Sequence, residues 1–267
     1  REGDPPAMSY AAPCPPAPAP PAPHFRLQAV IVCDQYSDFL QCTLPHNKYL
    51  FDRVVVVTSY EDKATQRICE YPHVECIRCD ELLTRKGQFH KGKGINAGLA
   101  ALAPQGNNPE DWMVHLDADI YLPPQTRLLL QQASLDPSML YGIDRFIVRG
   151  WDRWVGFLEA PRLQHEDRTY IHTDAFPIGT RVMHDFAGGY VPIGFFQMWN
   201  PAASGITRYP DEHTNAGRGD TVFAQLWPRG RRGFIPEIIG YHLESLDAAN
   251  AANWSGRTTA PFCSRPL

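Results

Sequence analysis

Four strand-like runs set the limits on the fold of this chain. Residues 27–33 are apolar except for Gln28, and residues 53–57 read Arg-Val-Val-Val-Val. Residues 74–78, Val-Glu-Cys-Ile-Arg, read as a third and less apolar strand, and residues 112–116 are the fourth run. Apolar side chains on consecutive positions mark strands buried on both faces, the condition of strands inside a parallel sheet. Helical spacing separates the runs. In residues 37–44, Phe39, Leu40, Thr43 and Leu44 share a face, with Ser37 as N-cap, Asp38 in the first turn and Pro45 as the stop. Residues 61–70 form a second helical stretch. In residues 93–102, Ile95, Leu99 and Leu102 repeat at helical intervals. Strand-helix alternation of this kind predicts βαβ units around a parallel sheet. Beyond residue 122 the order is less regular, with strands predicted at 140–148, 189–199 and 234–242 and helices at 151–158 and 220–227. The expected fold class is therefore α/β, a Rossmann-type mixed sheet flanked by helices in a single domain.

Residues 1–24 stand apart, with nine prolines, several alanines and almost no large aliphatic side chain. Such a segment cannot bury enough apolar surface to offset its ordering entropy, and it reads as a Pro/Ala-rich disordered tail or linker. Residues 1–7 read as a processing remnant, with Met8 as a native start. The chain is 43% hydrophobic, enough for a sizeable core, and its net charge of −4 gives no global basic field for nucleic acid. No apolar stretch has the length of a membrane span, and no signal peptide is visible, so a cytoplasmic protein with no membrane partner is expected. Seven cysteines include one Cys-x-x-Cys, Cys76 to Cys79, without the second pair that structural zinc requires. That pair falls on a strand rather than at a helix start, so reduced thiols are expected rather than redox chemistry.

The fourth run ends in Asp117-Ala118-Asp119, followed by Ile120-Tyr121-Leu122 and then Pro123-Pro124. Two acids at i and i+2 on a strand end point to one face, with attachment points about 6.5 Å apart. That spacing suits one divalent cation, and hard oxygen ligands select Mg²⁺ or Mn²⁺. At the C-terminal end of a parallel strand, such a metal would clamp the diphosphate of a nucleotide-linked substrate. A second segment, residues 89–99, places Lys91-Gly92-Lys93-Gly94-Ile95-Asn96 at a helix start. Glycines permit close backbone approach, and the cations and helix N-terminus favour anions. The spacing is not that of a Walker loop.

Together these segments resemble the GT-A class of nucleotide-sugar glycosyltransferases. The likeness is nearest the family-2 type and is also similar to glycosyltransferases encoded by phages. The resemblance rests on the order of motifs: a strand followed by Asp34, a second strand, Lys-Gly-x-x-x-Asn, and a strand ending Asp-x-Asp. It covers residues 27–125 well and 185–258 loosely. It implies a GT-A-like fold with a nucleotide-sugar-binding half (25–125), an acceptor half (126–258) and a C-terminal tail (259–267). It also implies a metal-dependent hexosyl- or pentosyltransferase. Asp117, Asp119 and the strand-ending His242 would be metal ligands, the imidazole favouring Mn²⁺ over Mg²⁺. Asp34, Tyr36 and Thr58 would contact base and ribose, and Lys91, Lys93, Asn96, Asp117 and Arg257 would hold the donor. The two Lys-Gly steps leave the roles of Lys91 and Lys93 interchangeable.

Asp220, opening a helix, is the implied general base of an inverting enzyme, with Asp211 and Glu212 next. Inverting and retaining outcomes both stay open. Residues 253–257 would form a lid, and the glycine- and aromatic-rich residues 188–199 would face a sugar, with Gln197 as a polar contact. The implied partners are a UDP- or GDP-sugar and an acceptor that is a glycan, a small molecule or a hydroxymethylated DNA base. Arg145, Arg149, Arg153, Arg229, Arg231 and Arg232 are candidates for DNA phosphate contacts. For a phage-encoded protein the compartment is the host cytoplasm. Two alternatives remain: a non-catalytic glycan or nucleotide-sugar binding module, and a nucleotidyltransferase. The second would need a glycine-rich basic loop after the first strand, and residues 34–38 contain neither glycine nor a cation.

Overall fold

The computed structural model describes residues 25–83, 88–102, 109–159, 190–248 and 253–263. The Pro/Ala-rich segment 1–24 lies outside the described residues, as does the start of the strand expected at 189–199. The first half contains β1 (Arg26–Val32), α1 (Ser37–Asn47), β2 (Arg53–Thr58), α2 (Lys63–Ile68), β3 (Val74–Arg78), α3 (Lys91–Leu102) and β4 (Asp111–Leu116). The second half contains β5 (Ile120–Tyr121), α4 (Thr126–Gln132), β6 (Leu140–Arg149), α5 (Trp151–Glu159), β7 (Phe196–Trp199), α6 (Pro201–Ser204), α7 (Gly219–Ala224) and β8 (Arg232–Glu244). All eight strands form one sheet in the order β3-β2-β1-β4-β7-β6-β8-β5. The fold is the α/β mixed sheet with flanking helices expected from the sequence.

The consecutive apolar positions of β1, β2 and β4 divide between two cores. Leu27, Ala29, Ile31, Val54, Val56, Val114 and Leu116 pack with Leu40 and Leu44 of α1. Val30, Val32, Val55, Val57 and Met113 pack with Ile95, Leu99 and Leu102 of α3. Helices cover both faces, and β1 pairs in parallel with β2 and β4. A fully buried valine in such a layer contributes about 1.5–2 kcal/mol from area alone. This two-sided burial is why the strands read without alternation.

The second half departs from simple crossovers. β7 runs antiparallel to β4, and β8 runs parallel to β6 but antiparallel to β5. Only residues 117–119 separate β4 from β5, yet the two strands stand four places apart in the sheet. Three residues span at most about 10 Å, so the far edge of the sheet must curl back toward β4. A register shift between Gly142 and Asp144 in the β6–β8 ladder accompanies that bend.

Several boundaries differ from expectation. α1 runs through Pro45 to Asn47, and Tyr36 rather than Ser37 is its N-cap. Pro45 removes one backbone donor, but tertiary bonds hold the last turns. The Thr43 hydroxyl donates to Ala118 O at 2.7 Å, Asn47 Nδ2 to Ile120 O at 2.7 Å, and Leu122 N to Asn47 Oδ1 at 3.0 Å. β7 is shorter than expected because residues 193–195 turn instead of extending, and Phe196 N donates to Ile193 O at 3.3 Å. No described helix is long and apolar enough to cross a membrane.

Candidate active site

A cavity of about 450 Å³ opens where the C-terminal ends of β1 and β4 meet the curled edge of the sheet. Its walls include Asp34, Tyr36, Lys91, Asp117, Asp119, Arg145, Asp220, His242, Glu244 and Arg257. The two acids of Asp-x-Asp do not extend β4 as expected. They sit in the tight turn between β4 and β5, where Ile120 N donates to Asp117 O at 3.3 Å. The turn faces two ways. Asp117 N donates to Phe195 O at 3.1 Å, beside β7, and Leu243 N donates to Asp119 O at 2.9 Å, beside β8. Asp117 therefore meets α3, and Asp119 meets β8.

Lys91 opens α3 and reaches Asp117 Oδ1 at 2.5 Å. Burial opposes its charge, but Asp117, Asp220 and Asp119 outweigh that and raise its pKa, so it stays protonated. Lys93 pairs outside with Glu81 at 3.4 Å and does not line the cavity. The geometry thus separates the two lysines: Lys91 faces the acids. Asn96 also lies away from the cavity. Its Oδ1 accepts from Tyr209 N at 2.7 Å, and its Nδ2 donates to Tyr209 O at 2.9 Å and to Asp211 Oδ2 at 3.2 Å. One turn earlier on the same face, a Cβ on Gly92 would collide with Pro210 O and Asp211 Cα. Gly92 and Asn96 are therefore a backbone clamp on residues 209–211. Asp211, the alternative base, is held by Asn96 and by Arg208 at 2.5 Å.

The clamp places the Tyr209 hydroxyl 3.0 Å from Gln197 Oε1, to which it donates. Gln197 is fully buried, so it cannot be the sugar contact expected from the sequence. Its Nε2 donates to Pro192 O at 2.7 Å and to Asp220 O at 3.0 Å. His115, also fully buried, lies with Nδ1 3.5 Å from Gln197 Oε1 and Nε2 3.6 Å from Asp117 Oδ1. Burial, followed by the Lys91 charge, holds its pKa well below the ordinary value, so the ring is neutral. Asp220 stands in the first turn of α7 and lines the cavity. Its Oδ2 accepts from Gly194 N at 2.8 Å and its Oδ1 from Thr221 N at 2.7 Å. A Cβ on Gly194 would meet Asp220 Cβ at 2.8 Å, so glycine is what lets this carboxylate approach the main chain.

On the opposite wall, His242 Nε2 lies 3.2 Å from Asp119 Oδ2, and Ile120 pairs with His242 across β5 and β8. Burial alone would raise the Asp119 pKa, but His242, Lys91 and Arg145 together hold it below the carboxylate range. Asp119 Oδ1 is buried without a hydrogen-bond partner among the described residues. No cluster of three side chains arranged to hold a metal occurs among the described residues. The donor chemistry nevertheless fits a Mn²⁺ or Mg²⁺ with open positions. Such ions take one or two carboxylates and complete their shell from substrate phosphates and water. Asp119 and His242 supply an oxygen and a nitrogen at one spot, with an orphaned oxygen beside them, while Asp117 is bound to Lys91.

At the end of β1, Asp34 Oδ1 accepts from Ser59 Oγ at 2.5 Å, and burial raises its pKa. Tyr36 stacks on Phe39 with centroids 5.1 Å apart. Thr58 is fully buried in the sheet and does not line the cavity. Arg257 does line it, but its donors are taken. Nε donates to Thr259 O, Nη1 to Gln35 O and Asp38 Oδ1, and Nη2 to Asp38 Oδ2 and Ala260 O. A guanidinium has five N–H donors, and all are used. As it stands, Arg257 ties residues 253–263 to α1, and contact with a diphosphate would require breaking those bonds.

Two further charged residues stand on the cavity wall, outside the site set expected from the sequence. Arg145, a candidate phosphate contact in the sequence, lies over the Phe195 ring at 4.6 Å and lines the cavity. Glu244 follows His242 by two residues on β8. The i, i+2 argument applied to Asp117 and Asp119 would have found it.

No protein-family model matches the sequence, and no curated protein matches it significantly. Solved structures do match, at low identity. A mycobacterial protein is 14% identical with a TM-score of 0.41, over 83% of this chain and 66% of its own. Glucosyl-3-phosphoglycerate synthase from Mycobacterium tuberculosis, solved with phosphoglyceric acid, is 15% identical with a TM-score of 0.42, over 83% and 71%. A 4-diphosphocytidyl-2C-methyl-D-erythritol synthase from Anaerococcus prevotii is 16% identical with a TM-score of 0.33, over 45% and 55%. The chain thus spans less than two thirds of the length of two of these proteins. Likeness at this level assigns no activity, and the functional reading has to come from the side chains.

Proposed function

We propose that this chain is a metal-dependent glycosyltransferase that moves a sugar from a nucleoside-diphosphate donor to a hydroxyl acceptor. The observation that carries this reading is the convergence of Asp117, Asp119, His242, Lys91 and Asp220 on one cavity at the C-terminal end of β1 and β4. Chemistry of this class needs charge stabilisation at a leaving diphosphate and a base near the acceptor hydroxyl.

Asp119 and His242 would hold the cation, with Asp117 joining once a diphosphate draws Lys91 away. A bound divalent ion supplies Lewis-acid neutralisation of the departing phosphate oxygens. Lys91 is the mobile cation of the site: its ammonium is protonated, sits against Asp117, and can turn to the diphosphate. Tyr36 and Asp34, at the end of β1, offer a ring face and a carboxylate to base and ribose. Asp220 would accept the acceptor proton if the reaction inverts. Its two backbone donors fix the orientation of the carboxylate before substrate arrives. Arg149 and Arg231 are paired with Glu244 and Asp136 at 2.8 and 3.2 Å. That pairing leaves fewer cations for a nucleic-acid backbone, so a glycan or small-molecule hydroxyl is favoured over a DNA base.

The test is donor turnover. The full chain is incubated with UDP-glucose, UDP-galactose and GDP-mannose in Mn²⁺, Mg²⁺ or EDTA, and released nucleoside diphosphate is quantified. Release from one donor, abolished by EDTA and by Asp119→Asn, supports the enzyme. Metal-dependent nucleotide binding without any release points to a binding module. Release of pyrophosphate from a nucleoside triphosphate and a sugar phosphate points to a nucleotidyltransferase.

A further inference from the structure

His242 and Glu244 occupy alternate positions of β8, and both border the cavity. The β6–β8 ladder pairs Ile147 with His242 and Arg149 with Glu244, so β6 supplies the neighbour of each. Arg149 places two donors on one oxygen: Nε and Nη2 both bond Glu244 Oε2, at 3.1 and 2.8 Å. The main chain fixes the same spot, because Gly150 N donates to Glu244 O at 2.8 Å. The other carboxylate oxygen, Oε1, faces the imidazole and lies 3.8 Å from His242 Nδ1. That Nδ1 is buried without a hydrogen-bond partner among the described residues. The opposite ring nitrogen, Nε2, is the one beside Asp119.

These contacts impose a condition on metal binding. A neutral imidazole carries one proton. Beside Asp119 Oδ2, Nε2 is satisfied as a donor. To ligate a cation, Nε2 must instead present its lone pair, and the proton must then sit on Nδ1. Nδ1–H needs an acceptor, and Glu244 Oε1 is the oxygen facing it. A gap of 3.8 Å is too long for a hydrogen bond, but such contacts tighten when a site is loaded.

Building on the glycosyltransferase reading, we infer that Glu244, anchored through Oε2 by Arg149, is the positioning residue for His242. It fixes the tautomer and ring orientation that let Nε2 ligate the cation. Metal-bound histidines commonly donate their other N–H to a carboxylate, and loss of that partner costs about 10–100-fold in metal affinity.

Glu244→Gln tests this without a change of size. Arg149 captures the amide oxygen, which turns the NH₂ toward His242 and favours the tautomer that cannot ligate. Mn²⁺ is titrated into the full chain saturated with UDP, and in parallel with GDP, and free Mn²⁺ is followed by its paramagnetic resonance signal. Glu244→Gln is expected to weaken Mn²⁺ binding about 10–100-fold, with UDP affinity in EDTA unchanged. In a His242→Ala background the same substitution should have no further effect. Arg149→Gln, which frees Glu244, should weaken binding by less than Glu244→Gln does and shows the effect independently if Glu244→Gln folds poorly. Equal Mn²⁺ affinity in wild type and Glu244→Gln overturns the inference, as does an equal loss in both His242 backgrounds. Failure of the wild type itself to bind Mn²⁺ with either nucleotide overturns the glycosyltransferase reading first, and is recognisable as such because no variant is involved.

Discussion

Asn96→Leu is the sharpest test of the clamp between α3 and residues 209–211. The side chains are of similar size, so the substitution removes hydrogen bonds with little change of volume. Three bonds go: from Tyr209 N at 2.7 Å, to Tyr209 O at 2.9 Å, and to Asp211 Oδ2 at 3.2 Å. Asp211 keeps Arg208 as a partner, so its loss is small. The Tyr209 N–H and C=O lose theirs, and each unsatisfied buried group costs about 1–3 kcal/mol. The contacts are half-buried, so water recovers part of that cost, and a net loss of about 2–4 kcal/mol is expected. For a domain of this size each kcal/mol lowers the melting midpoint by about 2–4 °C, and the drop should be about 4–16 °C. Urea unfolding should show a lower midpoint with an unchanged slope. A change below about 0.5 kcal/mol, the range of surface substitutions, would refute the clamp and return Asn96 to a ligand-facing role. A functional consequence follows through Tyr209, which bonds Gln197, which in turn bonds the Asp220 main chain. At a temperature where both proteins are folded, donor turnover should fall further in Asn96→Leu than in an equally destabilised core variant.

The other predictions follow from single contacts. Gly92→Ala drives a Cβ into Pro210 O and should cost about 1–3 kcal/mol in urea unfolding. Combined with Asn96→Leu it should be less than additive, because both act on one clamp. Asp111 is buried at the start of β4, with neither carboxylate oxygen hydrogen-bonded among the described residues and Arg26 3.8 Å away. Burial raises its pKa, so the folded state holds the proton more tightly than the unfolded chain. Its stability contribution is full below the unfolded value, about 4, and is lost as pH rises through the folded one. Asp111→Asn should therefore melt higher than wild type at about pH 7.5, with the gap closing toward about pH 4; a gap independent of pH would show that the charge is not the cause. Asp38→Ala removes both carboxylate bonds of Arg257 and the acceptor of Phe262 N. Amide exchange in residues 253–263 should accelerate while that of α3 holds, and unchanged exchange would sink the tether.

The first half of the fold was legible because β1, β2 and β4 are buried on both faces. Val54 to Val57 are apolar without alternation since α1 and α3 cover opposite sides of β2, and a strand with one wet face would not show that pattern. The second half was harder to read. Its order depends on a curl imposed by the short β4–β5 link, which has no composition signature, and on a register shift where β8 inserts residues 235–238 against β6, which only Pro236 marks. Pro45 misled for a related reason. The local rule that ends a helix there was overruled by bonds from Thr43 and Asn47 to residues more than seventy positions away.

At the site, residue type does not by itself set a role. Asp117, Asp119, His242, Lys91, Asp220, Asp34, Tyr36 and Arg257 all border one cavity, while Lys93, Asn96 and Thr58 do not. What they do there depends on how many donors and acceptors remain after folding. Arg257 carries the right charge for a diphosphate, but its five donors are spent on Gln35, Asp38, Thr259 and Ala260. Asn96 carries the motif position, but its amide is spent on Tyr209 and Asp211. By contrast, Asp119 Oδ1 and His242 Nδ1 are buried polar atoms with no hydrogen bond among the described residues. Orphaned groups of this kind are costly unless something satisfies them. A cation on Asp119 that turns His242 Nδ1–H toward Glu244 would satisfy both at once. This shared deficit is the strongest physical reason to expect a ligand on that wall of the cavity.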